Sequence, residues 1–151
     1  MKEPRGMRNG NPLNIRKTSE KKLWQGQIMN VKEKDFCTFA TPAYGYRAAW
    51  ILLDNYQLWM VQHGKSYCLR NIISRWAPAS ENDTRTYISR VSKLTNIDPD
   101  ELLKAPFLDT QRFVEIIAAM TCVENGISMN QVPVEYIREG FRLAFGKINE
   151  V

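Results

Sequence analysis

The sequence predicts a helix-dominated α+β domain with a small β element near its N-terminus. From Thr41 onward, apolar residues recur at helical spacing between marked starts and stops. Segments near 26–30 and 36–40 read as short strands joined across the charged turn Lys32-Glu33-Lys34-Asp35. The 151 residues, 44% hydrophobic and 25% charged, suit one folded domain and argue against disorder. The expected layout is a single domain over 1–151, with a basic β-containing arm over about 1–40 and a helical body over about 41–146.

Residues 8–16 are turn-rich, since Asn9-Gly10 and Asn11-Pro12 both punctuate local structure. The strands after this turn suit a hairpin or a three-stranded sheet. Thr41-Pro42 supplies an N-cap and a proline at the first helical position, and the helix can run to His63 with Gly64 as its stop. Its Trp50, Leu53, Tyr56 and Met60 are an apolar load fit for a central helix. Ser66 can cap a second helix, about 67–76, ended by Ala77-Pro78 because the residue before proline avoids the α region. A third helix, about 84–95, turns Tyr87, Ile88, Val91 and Leu94 inward. Asp98-Pro99-Asp100-Glu101 reads as the capping-box-like start of a short helix. Asp109 can cap the helix that ends at Glu124, and Pro133 opens a last one through Tyr136, Ile137, Phe141 and Phe145.

Composition narrows the function classes. Cys37, Cys68 and Cys122 are odd in number and widely spaced, a pattern of buried thiols rather than a disulfide framework. One histidine, His63, and no Cys-x-x-Cys leave no zinc pattern, so no metal and no cofactor are expected; a capping or surface role suits His63. No run approaches a membrane span, and the N-terminus has no apolar segment of a secretion signal. The net charge of +5 is uneven: residues 1–34 hold nine Lys/Arg against three acids. Such an arm suits a polyanionic partner or simply a solvated surface. The helices near 67–76 and 84–95 superficially suggest a helix-turn-helix, but their seven-residue linker is a poor match to that motif's tight turn, so nucleic acid is the weaker expectation.

Three groups of residues carry candidate chemistry. At about 100° per residue, Phe113, Ile116, Ile117 and Met120 form one stripe, and Glu124 projects into the middle of it, whereas Glu115 points almost opposite. A carboxylate there is costly unless paired or protonated. Burial and the negative end of the helix dipole both favour the protonated form. An acid still protonated near neutral pH is what a glycosidase needs to protonate a leaving oxygen. The competing expectation is a frayed helix end, or a pairing of Glu124 with Arg138 or Arg142. The second group is Trp76 to Thr84 with Tyr87. Here Glu81 or Asp83 could supply a second carboxylate, and Trp76 and Tyr87 could stack on sugars; equally, Asn82 or Asp83 could cap a helix and the aromatics could be core. The third is Asn9, Asn11, Asn14 and Arg16, with Trp24-Gln25-Gly26 after them. Amides suit hydroxyl-rich ligands and structural turns alike.

The runs Arg5-Gly6-Met7-Arg8-Asn9-Gly10-Asn11-Pro12-Leu13-Asn14-Ile15-Arg16, Trp24-Gln25-Gly26, Phe39-Ala40-Thr41-Pro42-Ala43-Tyr44-Gly45-Tyr46-Arg47-Ala48, and Trp76-Ala77-Pro78 with Glu81-Asn82-Asp83-Thr84 and Tyr87-Ile88 resemble a family of small phage and mobile-element proteins. Its members are often labelled virion structural proteins. Arg8-Asn9-Gly10-Asn11 departs slightly from that family's asparagine run. More remotely, the same order is similar to bacterial cell-wall glucosaminidases and lytic transglycosylases of lysozyme-like fold. In those, the catalytic glutamate ends a helix, is followed by a small residue and precedes an asparagine-rich turn; a tyrosine near the cleft matches Tyr87. Here the Glu124-Asn125-Gly126 helix lies at the other end of the chain, so the resemblance implies a circularly permuted lysozyme-like domain.

The resemblance further implies cleavage of peptidoglycan glycan strands by a glycosidase or lytic transglycosylase. Glu124 would be its general acid/base, with Glu81 or Asp83 as a second carboxylate. Asn11, Asn14, Arg16, Trp24, Trp76 and Tyr87 would bind substrate. Phage or conjugation proteins are the further partners implied. The protein would be made in the bacterial cytoplasm without a signal peptide, then be virion-associated or released to the wall. The alternative is a non-catalytic virion or conjugation protein that binds wall glycan or a protein partner.

Overall fold

A computed structural model describes residues 3–18, 23–79 and 82–146. Six α-helices make up most of it: α1 (Arg5–Arg8), α2 (Pro42–Gln62), α3 (Leu69–Trp76), α4 (Thr84–Thr95), α5 (Thr110–Asn125) and α6 (Val134–Phe145). Strands β1 (Gln27–Ile28) and β2 (Thr38–Phe39) pair antiparallel, Gln27 opposite Phe39 and Ile28 opposite Thr38. A single antiparallel bridge, Arg16 to Phe36, extends this ribbon. The β element is therefore two short strands plus a bridge, shorter than the segments expected. Among the described residues no helix is long and apolar enough to cross a membrane.

Local chemistry sets most helix boundaries. Pro42 begins α2 as expected, although the Thr41 side chain makes no capping bond. Asp83 caps α4, accepting the Thr86 N–H, and Gly126 ends α5 at φ 64°. Pro133 sits one residue before α6 rather than inside it.

Two expectations fail for one tertiary reason. The second helix starts at Leu69, with Cys68 rather than Ser66 at its N-cap. The Asp98 segment forms no helix. Tyr67 is tied down twice: its hydroxyl donates to the Leu53 carbonyl at 2.7 Å, and its own carbonyl accepts from Leu103 N–H at 2.8 Å. That cross-link uses backbone groups that each helix would have needed for its own turns. Asp98 instead accepts the Asp100 N–H in a local turn, at 2.9 Å.

The core lies between α2, α5 and α6, with α3 and α4 closing one side. Trp50, Leu53, Leu69, Ile72, Phe113, Ile116, Ile117, Met120 and Ile137 are fully buried. The polar atoms of Trp50, Tyr46 and Thr121 are paired inside the core, as burial demands. Trp50 Nε1 donates to the Ile137 carbonyl at 2.9 Å, and the Tyr46 and Thr121 hydroxyls meet at 2.9 Å. Gly140 lets α6 close on α2, because a Cβ there would stand 2.7 Å from that of Tyr46. Cys37, Cys68 and Cys122 are buried free thiols.

The described part of the arm is folded into this body. Asn11 is fully buried: its amide donates to the Ile15 and Cys37 carbonyls, both at 2.9 Å, and accepts the Ile15 N–H. Arg5 pairs with Glu33, which also accepts from Asn9 at 3.1 Å. These donors, the Arg5 guanidinium first, hold the Glu33 carboxyl down to about 2.

Candidate active site

The N-terminal turn and the end of α5 meet at Glu124. The stripe of Phe113, Ile116, Ile117 and Met120 is fully buried. It therefore fixes the rotation of α5 and brings the Glu124 side chain to the inner surface. Asn14 sits at φ 52°, a left-handed conformation that asparagine tolerates. From there its amide donates to Glu124 Oε1 at 3.0 Å and approaches the Glu124 carbonyl at 3.4 Å. From α4, the Tyr87 hydroxyl donates to the other oxygen, Oε2, at 2.9 Å. The neighbouring residue ties the two chain ends together: the Asn125 amide donates to the Pro12 carbonyl at 2.7 Å and to the Thr121 carbonyl at 2.9 Å.

Gly6 makes this junction sterically feasible. A Cβ on it would fall 2.7 Å from Asn125 Oδ1 and 2.8 Å from both Asn14 Oδ1 and the Asn11 carbonyl. The two side-chain oxygens packed there have no hydrogen-bond partner, so the glycine holds two acceptors against a bare backbone.

Glu124 borders a cavity of about 350 Å³ that is also lined by Asn14, Arg16, Trp24, Tyr56 and Trp76. Burial pushes its carboxyl above the ordinary carboxylate range; hydrogen bonds from Asn14, Tyr87 and Trp76, and the charge of Arg16, draw it partway back. The Tyr87 hydroxyl is pushed far upward by its own burial and by Glu124, so it stays a neutral donor. The arrangement is thus an acid that can give up a proton and whose resulting anion is already met by donors.

The other expected residues divide sharply. Trp76 and Trp24 line the cavity, and Trp76 meets Tyr56 edge-on with ring centroids 6.1 Å apart. Arg16 lines it too, its guanidinium 5.0 Å from the Phe36 ring centroid. Asn11 does not reach it, because both ends of its amide are used by backbone. Asp83 is exposed and faces Thr86, accepting its N–H at 3.2 Å and its hydroxyl at 2.8 Å; these bonds lower its pKa. Its place is at the start of α4 and not on the cavity wall. Glu81 lies outside the described residues. Glu124 neither frays nor meets an arginine of α6: Arg138 donates to Gln111, and Arg142 to Glu139. His63 is exposed and stacks on Trp59.

Three residues of this site escape sequence reading. Tyr56 carries the aromatic spacing of a core residue, which hides it within the apolar load of α2. Asn125 and Gly6 act through close backbone approaches, which leave no mark on periodicity. Among the described residues, no cluster of three or more His, Cys, Asp or Glu side chains could hold a metal ion.

No family model matches the sequence. Protein P5 of Pseudoalteromonas phage PM2 is 35% identical over 142 residues, which cover 93% of this chain and 82% of the phage protein. The chain belongs to the P5 family. A mostly helical member of the P5 family thus places an acid from its C-terminal half against an asparagine turn from its N-terminus. Kinship with a phage protein agrees with the phage-type family expected from the Asn-rich and Trp76-Ala77-Pro78 segments. The name P5 describes no activity, so any chemistry must be argued from the residues.

Proposed function

We propose that this protein cleaves the glycan strands of bacterial peptidoglycan, with residues 1–151 forming one lysozyme-like domain in circularly permuted order. The observation that carries the reading is the Glu124 carboxyl: desolvated, bordering an open cavity, and gripped by Asn14 and Tyr87 from distant parts of the chain. The cavity's aromatic and amide lining suits sugar rings, whose faces stack on tryptophan and whose hydroxyls pair with amides.

Glu124 first acts as general acid, giving its proton to the glycosidic oxygen as the bond to the anomeric carbon breaks. The carboxylate left behind is stabilised by the Asn14 and Tyr87 donors. Glu124 is the one acid among the described residues that line the cavity, and a lytic transglycosylase course is one that a single acid can carry. In that course a hydroxyl of the cleaved sugar closes on its own anomeric carbon, and the Glu124 carboxylate takes up the hydroxyl proton. Proton and leaving group balance, and the acid is restored.

Kinship with a phage protein supports virion association, and a purely structural role is the second reading. Leu102, Phe107 and Leu108 are strongly exposed around the turn before α5, where a protein partner could cover them. Digestion of purified sacculi with mass spectrometry of the new ends tests the enzyme reading. Internally cyclised sugar ends are the expected product. Free reducing ends would replace the transglycosylase course by hydrolysis, and no release from several wall types would leave the structural role.

A further inference from the structure

The Glu124 cavity has a cationic neighbour. Tyr56 lines that cavity on one side, and the Arg75 guanidinium lies 5.1 Å from its ring centroid. The same guanidinium lies 3.9 Å from the centroid of Trp59, one helical turn along α2 from Tyr56. Trp59 also carries Lys65, whose Nζ is 5.4 Å from the ring, and the stacked imidazole of His63 at 4.1 Å. Trp59, Lys65, Asn71, Ser74 and Arg75 border a second cavity of about 230 Å³.

Arg75 and Lys65 are open to solvent, and among the described residues neither pairs with a carboxylate. By contrast Arg5, Arg70, Arg112 and Arg142 all do. Aromatic faces hold the Arg75 fork in place while leaving its N–H edges to a ligand. A planar fork suits a carboxylate, and Lys65 adds a second positive charge nearby. Because Arg75 borders the second cavity and packs on Tyr56, a wall of the first, an anion bound here would belong to the same polymer that fills the Glu124 cleft. On a wall glycan those anions are the carboxylates of the peptide stems.

We propose that Trp59, Lys65 and Arg75 bind the peptide-stem carboxylates of a wall glycan whose sugars occupy the Glu124 cavity. The proposal rests on the glycan-cleaving reading and deepens it, making peptide-bearing strands the preferred substrate over bare ones.

The binding half is tested without catalysis. A synthetic stem tetrapeptide with free carboxylates is titrated into the full chain while the Trp59 indole and Arg75 Nε signals are monitored by NMR. Both signals should move, equally in wild type and Glu124→Gln, and binding should weaken at least tenfold in Arg75→Gln and in Lys65→Gln. The fully amidated peptide should bind at least tenfold less well. Unmoved signals, equal binding of the amidated peptide, or equal response to inorganic phosphate would overturn the site. The kinetic half compares peptide-bearing strands with strands stripped of peptide. Arg75→Gln should lower the kcat/KM ratio between them about tenfold, and an unchanged ratio would overturn the preference. A wild type inactive on both strands would sink the glycan-cleaving reading alone, leaving the peptide titration to decide the site.

Discussion

Asn14 and Glu124 stand 110 positions apart in the chain and 3.0 Å apart in the fold, amide nitrogen to carboxyl oxygen. The contact joins the arm to the end of α5 and makes the acid a feature of the whole fold. Asn14→Ala removes a hydrogen bond to the Glu124 carboxyl, worth about 0.5–1.5 kcal/mol to the protonated group and about 1.5–3 kcal/mol to the carboxylate. The expected result is a lower Tm together with wall cleavage slowed at least tenfold. Retained activity at full stability would mean that the contact does not position the acid.

Tyr87→Phe probes the same carboxyl from the other side. The tyrosine hydroxyl lowers the Glu124 pKa, so its loss should move the alkaline limb of the cleavage profile to higher pH, because the protonated acid then persists further. The maximal rate should fall, since the developing carboxylate loses a donor. A downward-shifted limb in the pH–rate profile would contradict this.

Glu124→Gln should stabilise the fold at neutral and alkaline pH. In the unfolded chain this carboxyl ionises in the ordinary range, whereas burial delays its ionisation in the fold. Between those two points the folded state binds more protons, so stability drops as pH rises through the window and the loss persists above it. Removing the charge should raise Tm by roughly 1–4 °C above the window. The gain should vanish below the ordinary carboxylate range. Glu33 works in the opposite sense, its contribution being lost as pH falls toward about 2. Thermal melts across pH for both proteins distinguish the two.

Gly6→Ala should damage the site through sterics alone. Its Cβ would press on Asn125 Oδ1, Asn14 Oδ1 and the Asn11 carbonyl at 2.7–2.8 Å. Overpacking of this kind costs about 1–3 kcal/mol. A lower Tm and a displaced Glu124 NMR titration are expected, and an unperturbed titration would show that the junction yields elsewhere.

The inward register of Glu124 is legible in the sequence because four fully buried residues of α5 fix its phase. The Asp83 cap is legible for the same kind of reason, a short-range bond with a known residue preference. Asn11 and Asn14 show where local reading stops. They are the same residue type three positions apart, and only tertiary contacts decide that one amide is consumed by the Ile15 and Cys37 backbone while the other reaches Glu124. Ser66 loses its expected role because Tyr67 is anchored to Leu53, a contact across 14 positions. The four residues of α1 are too few for any periodicity to announce them.

The most direct measurement is the rate at which purified sacculi release soluble fragments, compared between wild type and Glu124→Gln at equal folded concentration. The expected outcome is release by wild type and a loss of at least about a hundredfold in the variant, the scale of removing a general acid. Equal release by the two proteins would contradict the role of Glu124.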